Sequence, residues 1–103
     1  MKRYTVRFAV EAEAQILNLQ QQIAQASSPA IALRFAGNIV DQCEKLCVFP
    51  LRGTPRDDIR PGVRTIAFRR RVVIAYLIAG REVVVLGIFY GGQDFETLIG
   101  EGL

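Results

Sequence analysis

Polar and apolar residues alternate over residues 3–8, which puts Tyr4, Val6 and Phe8 on one face and predicts a half-buried strand. The period then changes. Ala12, Ile16, Leu19, Ile23 and Ala26 recur at three- and four-residue spacing, predicting an amphipathic helix over residues 11–26 with these side chains inward. Glu11 and Glu13 stand in its first turn, where they complement the helix dipole. Its other side carries Gln15, Gln20, Gln21, Gln22 and Gln25, an uncharged surface suited to solvent. Ser27-Ser28-Pro29 interrupts the pattern. Ser28 has the side chain of an N-cap, and Pro29 suits a first helical position because its missing N–H needs no partner there. A second helix is predicted over residues 29–48, with Ala32, Phe35, Ile39, Cys43 and Leu46 as its inner stripe. The short link makes the two helices an antiparallel hairpin.

Phe49-Pro50 ends the second helix, and residues 50–62 are too heavily punctuated by proline and glycine to hold long regular structure. Three strand-like runs follow, over residues 63–68, 71–78 and 82–90, separated by short turns at Arg69-Arg70 and Ala79-Gly80-Arg81. Short turns between successive strands predict an antiparallel meander. Asp94 has the side chain to cap a last helical turn. The expected order is β-α-α-β-β-β, an α+β domain over residues 1–103. In it the N-terminal strand and helical hairpin pack on a twisted antiparallel sheet, and the sheet's other face or an edge is left for function.

Composition agrees with a folded domain. Half of the residues are hydrophobic and 22% are charged, which excludes a disordered chain. At 103 residues the chain needs no disulfide or metal staple. Cys43 and Cys47 share one helical face, but without histidine or a further cysteine they cannot form a standard zinc site. They read as reduced packing residues, and no metal or cofactor is expected. The N-terminus has no signal-peptide pattern, and the longest apolar run is too short to span a bilayer. The expected location is therefore the cytoplasm, without a membrane partner.

The net charge of +3 is uninformative, but its distribution is not. Arg52, Arg56, Arg60, Arg64, Arg69, Arg70 and Arg71 crowd the region from residue 50 to 71, against Asp57 and Asp58. Such a concentration favours an anionic partner, either nucleic acid or an acidic protein segment. Two readings stand side by side for Arg56 and Arg60: they present charge to a partner, or they pair with the neighbouring aspartates and fix the loop. Arg69, Arg70 and Arg71 sit at a hairpin and are the better candidates for contact with a partner.

The series Pro50…Gly53…Arg56…Asp58…Pro61-Gly62-Val63-Arg64, then a basic strand start, Tyr76, and Tyr90-Gly91-Gly92-Gln93-Asp94, resembles the RelE/ParE superfamily of bacterial toxins, and its ParE-like branch in particular. The resemblance spans nearly the whole chain. It implies a small toxin of a type II toxin–antitoxin system, held inactive by a cognate antitoxin. ParE-like members poison DNA gyrase; RelE-like members cut mRNA on the ribosome. Neither branch implies a small-molecule substrate. The sequence departs from the ParE-like pattern at Tyr90, where histidine is frequent.

Cleavage of RNA by its own 2′-hydroxyl needs a base, an acid and charge stabilisation at phosphorus. A RelE-like site would draw on Arg64, Arg71, Arg81 and Tyr90. The chain contains no histidine, however, and arginine stays protonated, which makes it a poor base. The expectation is a toxin that works by binding, with the seven crowded arginines as partner contacts and no catalytic residue.

Overall fold

The computed structural model describes residues 3–69 and 71–90. Strand β1 (Thr5–Phe8) leads into helix α1 (Val10–Ala26) and helix α2 (Pro29–Glu44), and a single 3-10 turn (Lys45–Cys47) follows. The chain then forms β2 (Thr54–Pro55), β3 (Arg64–Phe68), β4 (Val72–Ala79) and β5 (Glu82–Tyr90).

The helical hairpin forms where local chemistry directs it. The Ser28 hydroxyl accepts a hydrogen bond from the Ile31 N–H at 3.2 Å, and Pro29 opens α2. The second helix ends at Glu44, short of the expected residue 48, because the chain tightens into the 3-10 turn before Phe49-Pro50. Leu46 stays fully buried through this change. Ala26, expected inward, is exposed at the last residue of α1.

The sheet order is β1-β5-β4-β3-β2. The meander β3-β4-β5 is antiparallel, as the short turns require. β1 instead pairs in parallel with β5, Thr5 opposite Glu82 and Phe8 opposite Val85, so the sheet is mixed. β2 is an additional strand of two residues, antiparallel to β3, inside the stretch expected to be irregular. It lies at the sheet margin, where Pro55 needs no ladder hydrogen bond.

The hairpin covers one face of this sheet. Ala12 and Leu19 of α1 and Ile39 and Cys43 of α2 pack with Phe68, Val72, Ile74, Val85 and Ile88. The opposite face is not left bare. Val63, Ala75, Val84, Leu86 and Phe89 form a second buried cluster, joined by Ile59, Val73 and Leu77. Residues 59 and 63 belong to the loop before β3, so part of the arginine-rich loop packs on the sheet.

A β-bulge shifts the phase of β5 within this two-sided core. Tyr76 lies opposite Val85 and Ala75 opposite Gly87, which leaves Leu86 as an extra residue in β5. Val85 and Ile88 therefore both face the helices, three positions apart, whereas strict alternation would send one of them outward. The Phe89 ring lies over Gly87; a Cβ there would come within 2.6 Å of it.

Candidate partner interface

The arginine-rich region separates into three parts. The first is the turn before β2, which is tied down by two side chains reaching from the sheet. The Tyr76 hydroxyl donates to the Pro50 carbonyl at 2.7 Å and accepts from the Gly53 N–H at 2.9 Å. Arg64 donates through Nη1 to the Leu51 carbonyl at 3.1 Å and to the Gly53 carbonyl at 2.8 Å. Burial pushes the Tyr76 phenol up, against the opposing influence of the Gly53 hydrogen bond and the Arg64 and Arg52 charges. Arg64 is thus engaged by the fold at a position proposed for partner or phosphate contact. Arg52, on the turn itself, is exposed.

The second part is the loop from Arg56 to Val63. The Arg56 guanidinium forms a bidentate pair with Asp58, Nε to Oδ1 at 3.1 Å and Nη2 to Oδ2 at 3.0 Å. This pair holds the Asp58 carboxyl below the usual carboxylate range. The Arg56 N–H donates to the Val63 carbonyl, and the Asp57 carboxylate accepts from the Gly62 N–H at 2.9 Å. Gly62 has φ +84°, a conformation natural to glycine. Arg56 and Arg60 are both half-buried. For Arg56, pairing that fixes the loop is the arrangement present.

The third part is the β3–β4 turn. Arg69 and Arg71 are exposed there, and the Arg69 guanidinium lies 5.1 Å from the centroid of the Phe68 ring. Arg69 also adopts φ +52°, uncommon for a residue other than glycine. Arg70 and Asp94 lie outside the described residues.

The four residues of the RelE-like alternative do not converge. Val72 pairs with Tyr90, so Arg71 and Tyr90 share one end of the sheet. Arg81 is exposed at the opposite end, where Ala79 pairs with Glu82, more than about 20 Å away along the strands. Arg64 faces Tyr76 between them. Tyr90 is half-buried, and its ring packs edge-on against Phe35 with centroids 6.4 Å apart. It lines a cavity of about 240 Å³ with Gln15, Asn18, Leu19, Gln22 and Ile88. In that cavity the Gln15 side-chain carbonyl accepts from the Ile88 N–H at 2.7 Å, serving the β5 edge beyond the end of β1.

Among the described residues, no group of histidine, cysteine or carboxylate side chains is arranged to hold a metal ion. No described helix is long and apolar enough to cross a membrane. The structure also shows two residues that the sequence reading passed over, Phe49 and Leu51, large apolar side chains exposed on the pinned turn. The available signal was their apolar character within a segment otherwise rich in proline, glycine and arginine.

The profile of the family described as "ParE toxin of type II toxin-antitoxin system, parDE" matches residues 6–95, from β1 to beyond β5. The chain belongs to the ParE toxin family. This ParE-family chain is 35% identical over 57 residues to Toxin ParE3 of Caulobacter vibrioides, an alignment covering 55% of the chain and 56% of the relative. It thus spans about half the length of that relative. Its fold is that of a chain in the chromosomal ParDE toxin–antitoxin system from P. aeruginosa, with a TM-score of 0.77 and 23% identity over 86% of this chain and 97% of that one. It also resembles a chain of the toxin–antitoxin complex RelBE2 from Mycobacterium tuberculosis, with a TM-score of 0.65 and 25% identity over 90% and 97% of the two chains.

Proposed function

We propose that this ParE-family protein is a cytoplasmic toxin that inhibits DNA gyrase by binding it and is neutralised by a cognate antitoxin. The observation that supports binding over catalysis is the separation of the candidate catalytic side chains. Arg71 and Tyr90 lie at one end of the sheet and Arg81 at the other, while Arg64 holds the turn before β2. The chain has no histidine to serve as a base. What remains is a basic surface, with Arg52 exposed on the turn before β2 and Arg69 and Arg71 exposed on the β3–β4 turn. Such a surface favours encounter with acidic protein segments or with gyrase-bound DNA.

The alternative is a ribosome-dependent endoribonuclease acting on mRNA. Its support is the likeness to the RelBE2 chain and the placement of Arg71 at the same end of the sheet as Tyr90. Purified toxin added to gyrase and relaxed plasmid separates the two. Inhibition of supercoiling, with no cleavage of mRNA in a translating extract, is the expected result. Codon-specific mRNA cuts without an effect on supercoiling would establish the alternative.

A further inference from the structure

We infer that the turn from Phe49 to Arg52 is the toxin's docking element for a folded target, inserting into an apolar cleft bordered by carboxylates. The inference rests on the reading of this protein as a toxin that acts by binding. Phe49 is 64% exposed and Leu51 66% exposed, although both belong to residue types that folding normally buries. Together with Tyr4, Val48, Pro50 and Arg52 they border a shallow, mainly apolar hollow of about 420 Å³.

The turn's stiffness makes this exposure informative. The carbonyls of Pro50, Leu51 and Gly53 and the N–H of Gly53 are all engaged by Tyr76 or Arg64. The Arg52 N–H donates to the Phe49 carbonyl at 3.3 Å. The fold thus fixes the backbone of a turn whose two large apolar side chains, Phe49 and Leu51, are exposed to solvent. Preorganised apolar side chains of this kind bind without a large ordering cost, which is how a few residues come to dominate an interface.

Charge defines the partner. Among the described residues, Arg52 is the only charged one bordering the hollow, and Arg64 reaches the same turn from β3. A complementary surface is acidic at its rim and apolar at its centre. A projecting, rigid turn fits a preformed cleft in a folded protein. The cavity beside Gln15 and Tyr90 and the hollow between Phe8, Ile16, Leu17 and Val40 are lined by other residues and leave separate surface for a flexible antitoxin segment.

The test compares the parent with the double variant Phe49→Ser/Leu51→Ser and with Arg52→Glu. Three readouts are taken: growth arrest on expression, affinity for gyrase holoenzyme, and affinity for the antitoxin encoded beside the toxin. Growth arrest reads target engagement whatever the target is. The expected result is loss of arrest by the double variant and a weaker toxic effect of Arg52→Glu, with antitoxin affinity within about twofold of the parent. Gyrase affinity of the double variant falls about 30-fold or more, as for other interface anchors. Retained antitoxin binding shows that the variants fold. Undiminished growth arrest by the double variant overturns the inference, as does a parallel loss of antitoxin binding. Arrest that is lost in the double variant, when the parent itself does not bind gyrase, upholds the docking turn and overturns gyrase as the target. A parent that causes no arrest overturns both.

Discussion

Arg64 and Tyr76 face each other across β3 and β4 and grip the same residue, Gly53, from its two sides. The Tyr76 hydroxyl takes the Gly53 N–H at 2.9 Å, and Arg64 donates to the Gly53 carbonyl at 2.8 Å. Two residues of the sheet thereby set the conformation of a turn more than ten positions earlier in the chain. Phenylalanine at position 76 removes both hydrogen bonds of the hydroxyl and leaves the Pro50 carbonyl and Gly53 N–H without it. Tyr76→Phe is expected to cost roughly 1–3 kcal/mol in urea denaturation. A cost near zero would show that the turn is held by other means.

Gly53 is where this arrangement is tightest. A Cβ there would come within 2.5 Å of the Tyr76 hydroxyl and 2.9 Å of its ring. Gly53→Ala is expected to destabilise by roughly 1–3 kcal/mol, as overpacking does. The double variant Gly53→Ala/Tyr76→Phe should cost less than the sum of the two single changes, because removing the hydroxyl removes the closest clash. Strict additivity in the cycle would contradict the contact.

Alkaline pH probes the buried groups. Burial, with Glu44 alongside, pushes the Cys43 thiol up from 9.0 to about 12, and burial raises the Tyr76 phenol above 10.0. Both groups are neutral when protonated, so the folded state holds its protons more tightly than the unfolded one. The Cys43 contribution is complete below pH 9.0 and is lost as the pH rises to about 12, whereas that of Tyr76 declines only above 10.0. The melting temperature should fall above about pH 9, and Cys43→Ala should shallow the first part of that fall. An unchanged pH profile in the variant would assign the decline to other groups.

The binding account makes a separate demand on Tyr90 and Arg81. Tyr90→Phe keeps the edge-on contact with Phe35 and removes the hydroxyl. Arg81→Ala alters the end of the sheet remote from Arg71. Both variants should arrest growth within about twofold of the parent, since neither removes a catalytic group. Loss of toxicity in Tyr90→Phe, with antitoxin binding intact, would favour the nuclease.

The parts of the fold that depend on neighbouring residues could be read from the chain. The Ser28-Pro29 helix start, the two amphipathic stripes and the antiparallel meander all follow from local spacing and turn chemistry. Parallel pairing of β1 with β5 joins opposite ends of the chain, and no local pattern encodes it. The bulge at Leu86 was equally hidden, because the apolar run Val83-Val84-Val85-Leu86 reads the same with or without an extra residue. At the candidate interface, Asp58 beside Arg56 was legible as a pair at short range. The roles of Arg64 and Tyr76 were not, since their partners lie 11 to 26 positions away and depend on the assembled sheet.

The central claim is that toxicity comes from stoichiometric binding to gyrase rather than turnover of RNA. The most direct measurement titrates gyrase holoenzyme at fixed concentration with purified toxin and follows supercoiling, with mRNA integrity followed in a matched translating extract. The account predicts that inhibition reaches its endpoint near one toxin per gyrase binding site, is reversed by equimolar antitoxin, and leaves mRNA intact. Supercoiling unaffected by excess toxin, with many mRNA molecules cut by each toxin molecule, would contradict it.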